Sequence, residues 1–202
     1  MRTGIVFLQL PDGLLWFGYH VFKRKRVNKF HGRNAKVILH RNSMAENLIK
    51  IYTDGAARGN PGPGGYGAIL IWNQHRKELS EGYRHTTNNR MELMAVIKAL
   101  VVLKTSDLPV HIYSDSQYVV RAISEGWLTT WIKTNFKGDK KNPDLWKLYH
   151  TLAHPFQIKL FWVKGHANNP FNNRCDELAT AAADGKNLQA DAWYEQHVSD
   201  IK

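Results

Sequence analysis

One cysteine, Cys175, is all this 202-residue chain holds. An intramolecular disulfide is therefore excluded, and a reducing compartment, the cytoplasm, is expected. No apolar stretch approaches the roughly 18 residues of a spanning helix, so no membrane partner is expected. Internal repeats and low-complexity tracts are absent as well. Acids are scarce at the amino end: residues 1–43 carry one, Asp12, against nine Lys and Arg, a net of +8. Residues 44–202 hold 19 basic and 16 acidic side chains, a net of only +3. The overall +11 suggests a polyanionic partner, but most of it sits in the first fifth of the chain. That segment has no clear period. Residues 4–10 read as a strand, followed by a turn at 11–13 and the basic run Lys23-Arg-Lys-Arg26. It is a nucleic-acid-binding arm, a targeting leader, or a stretch upstream of a native start at Met44.

Hydrophobic content is ample for a core at 43%, with 8 Phe, 8 Tyr and 7 Trp. The domain expected over residues 44–202 is centred on Ile51-Tyr-Thr-Asp54 and the glycine- and proline-rich stretch that follows, through Gly67. Such a cluster reads as a tight turn where backbone passes close to something. Strands are expected at 48–54, 66–72 and 78–85, then a helix over 88–103 capped by Asn88 or Asn89. That helix is apolar nearly all round and should be buried. A strand at 110–115, a helix at 116–124 capped by Ser116, a Trp- and Lys-rich segment at 127–142 and a helix at 144–154 come next. A strand at 158–163 and a helix at 171–183 complete the pattern. Three meandering strands followed by alternating helices and strands predict an α/β fold: a five-stranded mixed sheet, antiparallel meander plus two parallel strands, with helices on both faces.

Several acids stand out against this frame. Asp54 and Asp115 end strands with the shared pattern Ile-Tyr-Thr/Ser-Asp, at the end of an open α/β sheet where ligands gather. Glu92 interrupts the apolar helix, although a first-turn glutamate on the surface would also suit the helix dipole. Asp115 is open to reading as a helix cap, and Asp176 as an ordinary residue of an amphipathic helix. If such acids converge, they repel one another unless cations are present. Magnesium takes hard oxygen ligands, and two such ions activate water for an in-line phosphoryl displacement.

The chain resembles the bacterial type I ribonuclease H family over nearly all of residues 46–184. The motifs are Tyr52-Thr-Asp54-Gly, Gly59-Asn-Pro-Gly-Pro-Gly-Gly-Tyr-Gly67, Thr86-Thr-Asn-Asn-Arg-Met-Glu92-Leu, Ser114-Asp115-Ser-Gln-Tyr118, Asp144-Leu-Trp146, Trp162-Val-Lys-Gly-His166-Ala and Arg174-Cys-Asp176-Glu-Leu-Ala179. The resemblance implies the ribonuclease H-like fold and a monomer that hydrolyses the RNA strand of RNA–DNA hybrids, leaving 3′-hydroxyl and 5′-phosphate ends. It implies two Mg2+ ions, with Mn2+ as a substitute, held by Asp54, Glu92, Asp115 and Asp176. His166 matches the family's mobile histidine, which assists proton transfer or product release, on a loop that its neighbours make flexible.

Substrate contacts follow from the same resemblance. Asn60, Asn88 and Gln117 would meet the hybrid's minor groove, telling RNA by its 2′-hydroxyl and not by base identity, and Asn89 would be a further substrate contact. Thr87 and Arg90 would hold a DNA-strand phosphate. Trp127, Trp131 and Phe136, with Lys133, Lys137, Lys140 and Lys141, match a basic handle at about 127–142; the two tryptophans are expected to be partly buried and the lysines solvated. The chain departs from the family in a shorter stretch between Phe136 and Asp144, in Phe171 and Asn173 where acids are common, and in residues 1–43, which match nothing in it. A catalytically silent hybrid binder is disfavoured by the complete acid set. A strand-transfer enzyme of the same superfold is disfavoured by Gln117, the asparagine row and the handle.

Overall fold

The computed structural model describes residues 3–9, 15–21, 47–165 and 168–197. The chain forms two compact units, residues 1–44 and 45–202. In the first, β1 (Thr3–Gln9) pairs antiparallel with β2 (Leu15–Val21), with Thr3 opposite Val21. The expected strand at 4–10 falls on β1; the turn at 11–13 and the basic run 23–26 lie outside the described residues.

The second unit contains β3 (Ile49–Ala57), β4 (Gly62–Trp72), β5 (His75–Thr86), α1 (Asn88–Val101), β6 (Val110–Ser114), α2 (Gln117–Ser124), α3 (Trp127–Lys133), α4 (Pro143–Ala153), β7 (Ile158–Trp162), α5 (Pro170–Ala183) and α6 (Ala192–His197). Its five strands run in the order β5-β4-β3-β6-β7. The first three are an antiparallel meander, and β6 and β7 add in parallel. This is the expected mixed sheet. α1 packs on β3 and β4 and is covered in turn by α4 and α2, so its apolar circumference is buried from Met91 through Ile97. α5 packs on β3, β4 and β5.

The glycine cluster corrects one expectation. It is not one long turn: Gly62, Gly64, Gly65 and Gly67 lie inside β4, and only residues 58–61 lie between the strands, with Gly59 at φ +82°. The physical reason is helix approach. A Cβ on Gly67 or Gly65 would run into the α5 backbone at Cys175 and Ala179, and one on Gly55 into the α1 backbone at Met91 and Glu92. These glycines let two helices close on opposite faces of one strand pair. Thr87, not Asn88 or Asn89, caps α1, its hydroxyl accepting from the Arg90 nitrogen at 3.4 Å. Ser116 caps α2 as expected.

Arg90 is a second correction. Far from facing solvent as a phosphate holder, it is fully buried, and its five donors are all engaged. Its Nε and Nη2 fork onto Asp191 at 2.6 and 2.7 Å. Its Nη1 and Nη2 reach Asp144 at 2.9 and 2.7 Å, and Nη1 also reaches Asn142 at 3.4 Å. Trp193 and Tyr194 lie over the guanidinium at 5.2 and 5.4 Å. The segment that carries these partners was not expected as structure. It adds a bridge between Gln189 and Tyr83, and then α6.

Removing one partner of a buried charge pair leaves the other uncompensated. Asp191→Ala should therefore lower unfolding stability by about 3–5 kcal/mol, read as an earlier urea midpoint. Asp184→Ala breaks only the exposed pair with Arg58 and should barely move the midpoint.

Candidate active site

The site forms where the central parallel pair ends. Thr53 lies opposite Ser114 in the β3–β6 register, so Asp54, inside β3, and Asp115, just past the end of β6, sit side by side. α1 delivers Glu92 from the other face because Gly55 admits its backbone at that turn. Oxygens of Asp54, Glu92 and Asp115 all lie within 4.8 Å of one another. Asp54 and Glu92 are each only 6% exposed.

Asp54 accepts a hydrogen bond from the Gly55 nitrogen at 2.7 Å, and Glu92 accepts from Asn88 Nδ2 at 3.3 Å. These bonds do not offset what opposes charge there. Burial, then the nearby Asp115, then the more distant Asp176, push the Asp54 carboxyl up to about 8. Burial and the same neighbours, Asp54 and Asp115, raise Glu92 well above the usual carboxylate range. Among the described residues, Glu92 Oε2 and Asp115 Oδ1 are buried with no hydrogen-bond partner. Buried oxygens left unpaired are costly, and a hard cation is the group that three converging carboxylates would satisfy. The donor set fits a divalent ion.

Asp176 lies outside the three-acid cluster. It sits on α5, half-buried, within electrostatic reach of Asp54. The contact of α5 with Gly67, which is paired with Asp54, sets that placement. Asn172, one helical turn before Asp176, is nearly fully buried and donates from Nδ2 to Asp115 Oδ2 at 3.2 Å. Sequence reasoning missed it; its signal was the i, i+4 spacing to Asp176, which puts both on one face. Trp162 Nε1 donates to the Asp115 carbonyl at 3.0 Å. Gly165 packs so close to Asp115 that a Cβ there would lie 2.5 Å from Oδ2. His166 lies outside the described residues.

Beside the acids, Asn60 Oδ1 accepts from the Asn88 nitrogen at 3.2 Å, joining the β3–β4 turn to the start of α1. Thr87 is half-buried as the cap, Asn89 and Gln117 are exposed. On the handle, Trp127 and Trp131 are partly buried and Lys133, Lys137, Lys140 and Lys141 exposed. Phe136 departs from its expected role as a substrate contact. It is 9% exposed, beside Trp131 at 6.5 Å and under Lys147 at 5.5 Å. It anchors the handle against the body, where Trp146 stands edge-on to Trp131 at 5.7 Å.

An open mixed sheet whose central parallel pair carries a buried acidic cluster fits a metal-dependent hydrolase of phosphodiesters. A family model described as RNase H matches residues 46–184. The ribonuclease H of Lachnoclostridium phytofermentans is 54% identical over 153 residues, covering 71% of this chain and 96% of that protein. That of Syntrophus aciditrophicus is 52% identical over 150 residues, covering 72% and 86%. Among solved structures, LC9-RNase H1, described as a type 1 RNase H with the type 2 active-site motif, is similar with a TM-score of 0.62 at 27% identity, covering 75% of this chain and 81% of that one. RNase H1 of Halobacterium salinarum NRC-1 matches with a TM-score of 0.53 at 27% identity, covering 68% and 98%. The chain belongs to the ribonuclease H family, enzymes that cleave the RNA strand of RNA–DNA hybrids.

The raised Asp54 pKa carries a stability prediction with a definite sign. A carboxyl held above its ordinary value stabilises the fold below pH 3.8, and that contribution is lost as pH rises through about 8. In metal-free protein, Asp54→Asn should therefore raise the melting temperature by several degrees at pH 8, at about 2–4 °C per kcal/mol. The advantage should shrink toward pH 4, and millimolar magnesium should narrow it at pH 8. Melting curves of both proteins at several pH values check this.

Proposed function

We propose that the protein is a magnesium-dependent, sequence-independent endoribonuclease acting on RNA–DNA hybrids as a cytoplasmic monomer. The observation that carries this reading is the cluster of Asp54, Glu92 and Asp115, with buried oxygens that no described residue satisfies, set beside a row of short amides. Asp54, Glu92 and Asp115 would hold Mg2+, with Asp176 completing the ligand set from α5. When bound, two such ions neutralise the acids, acidify a water and polarise the scissile phosphate.

The chain's own residues do the rest. Asn60 and Asn88, fixed to each other, and the exposed Asn89 and Gln117 present donors and acceptors suited to a 2′-hydroxyl and sugar edges. Across a minor groove, where base edges carry little sequence information, such amides meet sugars more than particular bases, which supports cleavage independent of sequence. Thr87, at the end of this row, is the candidate to meet a phosphate of the DNA strand. Trp127 and Trp131 offer partly open ring faces, and Lys133 and Lys137 track phosphates. Water oxygen attacks phosphorus in line and the bond to the 3′ oxygen breaks. The water gives up a proton as it attacks, and the leaving 3′ oxygen takes one up, so the products are a 3′-hydroxyl and a 5′-phosphate. His166, on the loop that follows Gly165, is the candidate to move protons or help product leave.

A labelled RNA–DNA hybrid incubated with magnesium should be cut in its RNA strand, while duplex RNA and duplex DNA stay intact. Equal cleavage of all three, or binding of the hybrid without cleavage, overturns the proposal. Asp54→Asn should lower turnover at least about 100-fold while circular dichroism shows an unchanged fold.

A further inference from the structure

The sheet face occupied by α5 over β3, β4 and β5 continues onto β6 and β7 with a different lining. Tyr52, Tyr113 and Phe161 stand at one register across β3, β6 and β7. With Phe171 of α5 they form a column of four rings: Phe171 to Tyr52 at 4.9 Å, Tyr52 to Tyr113 at 4.9 Å and Tyr113 to Phe161 at 5.1 Å. Arg76 closes the Phe171 end, its guanidinium 5.7 Å from the ring. The other end stops at the edge strand on Phe161, which is 37% exposed.

The next register row, Lys50, His111 and Lys159, is cationic or imidazole. His111 packs on Phe161 at 5.0 Å with ring planes 60° apart. His111 and Lys159 also line a cavity of about 340 Å³, with the amides Asn47 and Gln157 and the apolar Leu48, Pro109 and Ile158. That volume lies in the range of small-ligand sites. An aromatic edge beside an ammonium and two amides suits a nucleotide: a ring for the base to stack on, a cation for the phosphate, and donors and acceptors for the base edge or sugar. An apolar peptide would leave the lysine and amides unanswered.

We propose that this cavity and the open end of the ring column bind an unpaired nucleotide of a single strand extending from the hybrid. The inference rests on the hybrid-nuclease reading for its substrate and on the β6–β7 face for its site. Four residues of β6 and its end separate His111 from Asp115, about 13 Å at 3.3 Å per residue. A strand leaving the acids spans that in about four stacked nucleotides. Hybrids with single-stranded ends would then be held more tightly than blunt ones.

The test uses the full chain, with calcium in place of magnesium to hold off cleavage. Fluorescence anisotropy compares a labelled blunt hybrid with hybrids carrying a six-nucleotide tail, in DNA and in RNA versions. A tail should tighten binding at least about fivefold, the worth of one stacked base. The double variant Lys159→Glu/Phe161→Leu should lose that gain and keep its affinity for the blunt hybrid. Equal affinity of the wild type for tailed and blunt hybrids, or a gain that persists in the variant, overturns the inference. A wild-type dimer in light scattering that the variant abolishes also overturns it, by giving the face to a second copy. A separate arm uses the six-residue oligothymidylate alone: it should shift the His111 imidazole resonances in the wild type and not in Phe161→Leu, and no shift in the wild type overturns the site. Loss of blunt-hybrid cleavage in magnesium would instead count against the nuclease reading.

Discussion

Three carboxylates are forced together in a place where water cannot separate their charges. Everything around the site serves that unfavourable arrangement. Coulomb repulsion and burial both oppose ionisation of Asp54 and Glu92, so the metal-free fold holds a strained electrostatic state. Functional sites commonly carry such a local cost, offset by the stability of the scaffold. A divalent cation held by these acids would convert the repulsion into coordination and would tie the protein's stability to that ion.

The scaffold that imposes this arrangement is close-packed in a specific way. Glycines at 55, 65 and 67 remove the side chains that would hold α1 and α5 off the sheet, so Glu92 and Asp176 are carried in by backbone contact with the strands that bear Asp54. On the far side of α1, Arg90 is gripped between Asp144 of α4 and Asp191 of the carboxyl-terminal segment. One helix therefore carries Glu92 of the acidic cluster, Asn88, whose amide donates to that glutamate, and a buried cation that anchors it to two other segments. Small shifts of α1 would disturb all three together.

Much of this was legible in the sequence, and the misses have physical causes. The strand-end pattern shared by Asp54 and Asp115 placed them correctly, because parallel neighbours in register bring equivalent positions together. Glu92 was legible as an acid in an apolar helix. The glycines of β4 were misread because local propensity cannot show a helix pressing on the strand from outside. Arg90 looked like a surface phosphate contact because its counterion Asp191 lies 101 positions away, beyond any local pattern. Phe136 looked like a stacking surface, and tertiary contact with Trp131 turned it inward. Asn172 had only its spacing to Asp176 to betray it.

The account stands on the claim that the fold holds Asp54 and Glu92 against their own charge until a cation arrives. Carboxyl carbon chemical shifts, followed by NMR through a pH titration with and without magnesium, measure that directly. Without magnesium, Asp54 should titrate at about 8, with Glu92 also well above its ordinary range. Saturating magnesium should move both titrations to below about pH 5, toward or past the ordinary carboxylate range. Ordinary titration of both groups near pH 4 in metal-free protein, unmoved by magnesium, would contradict the account.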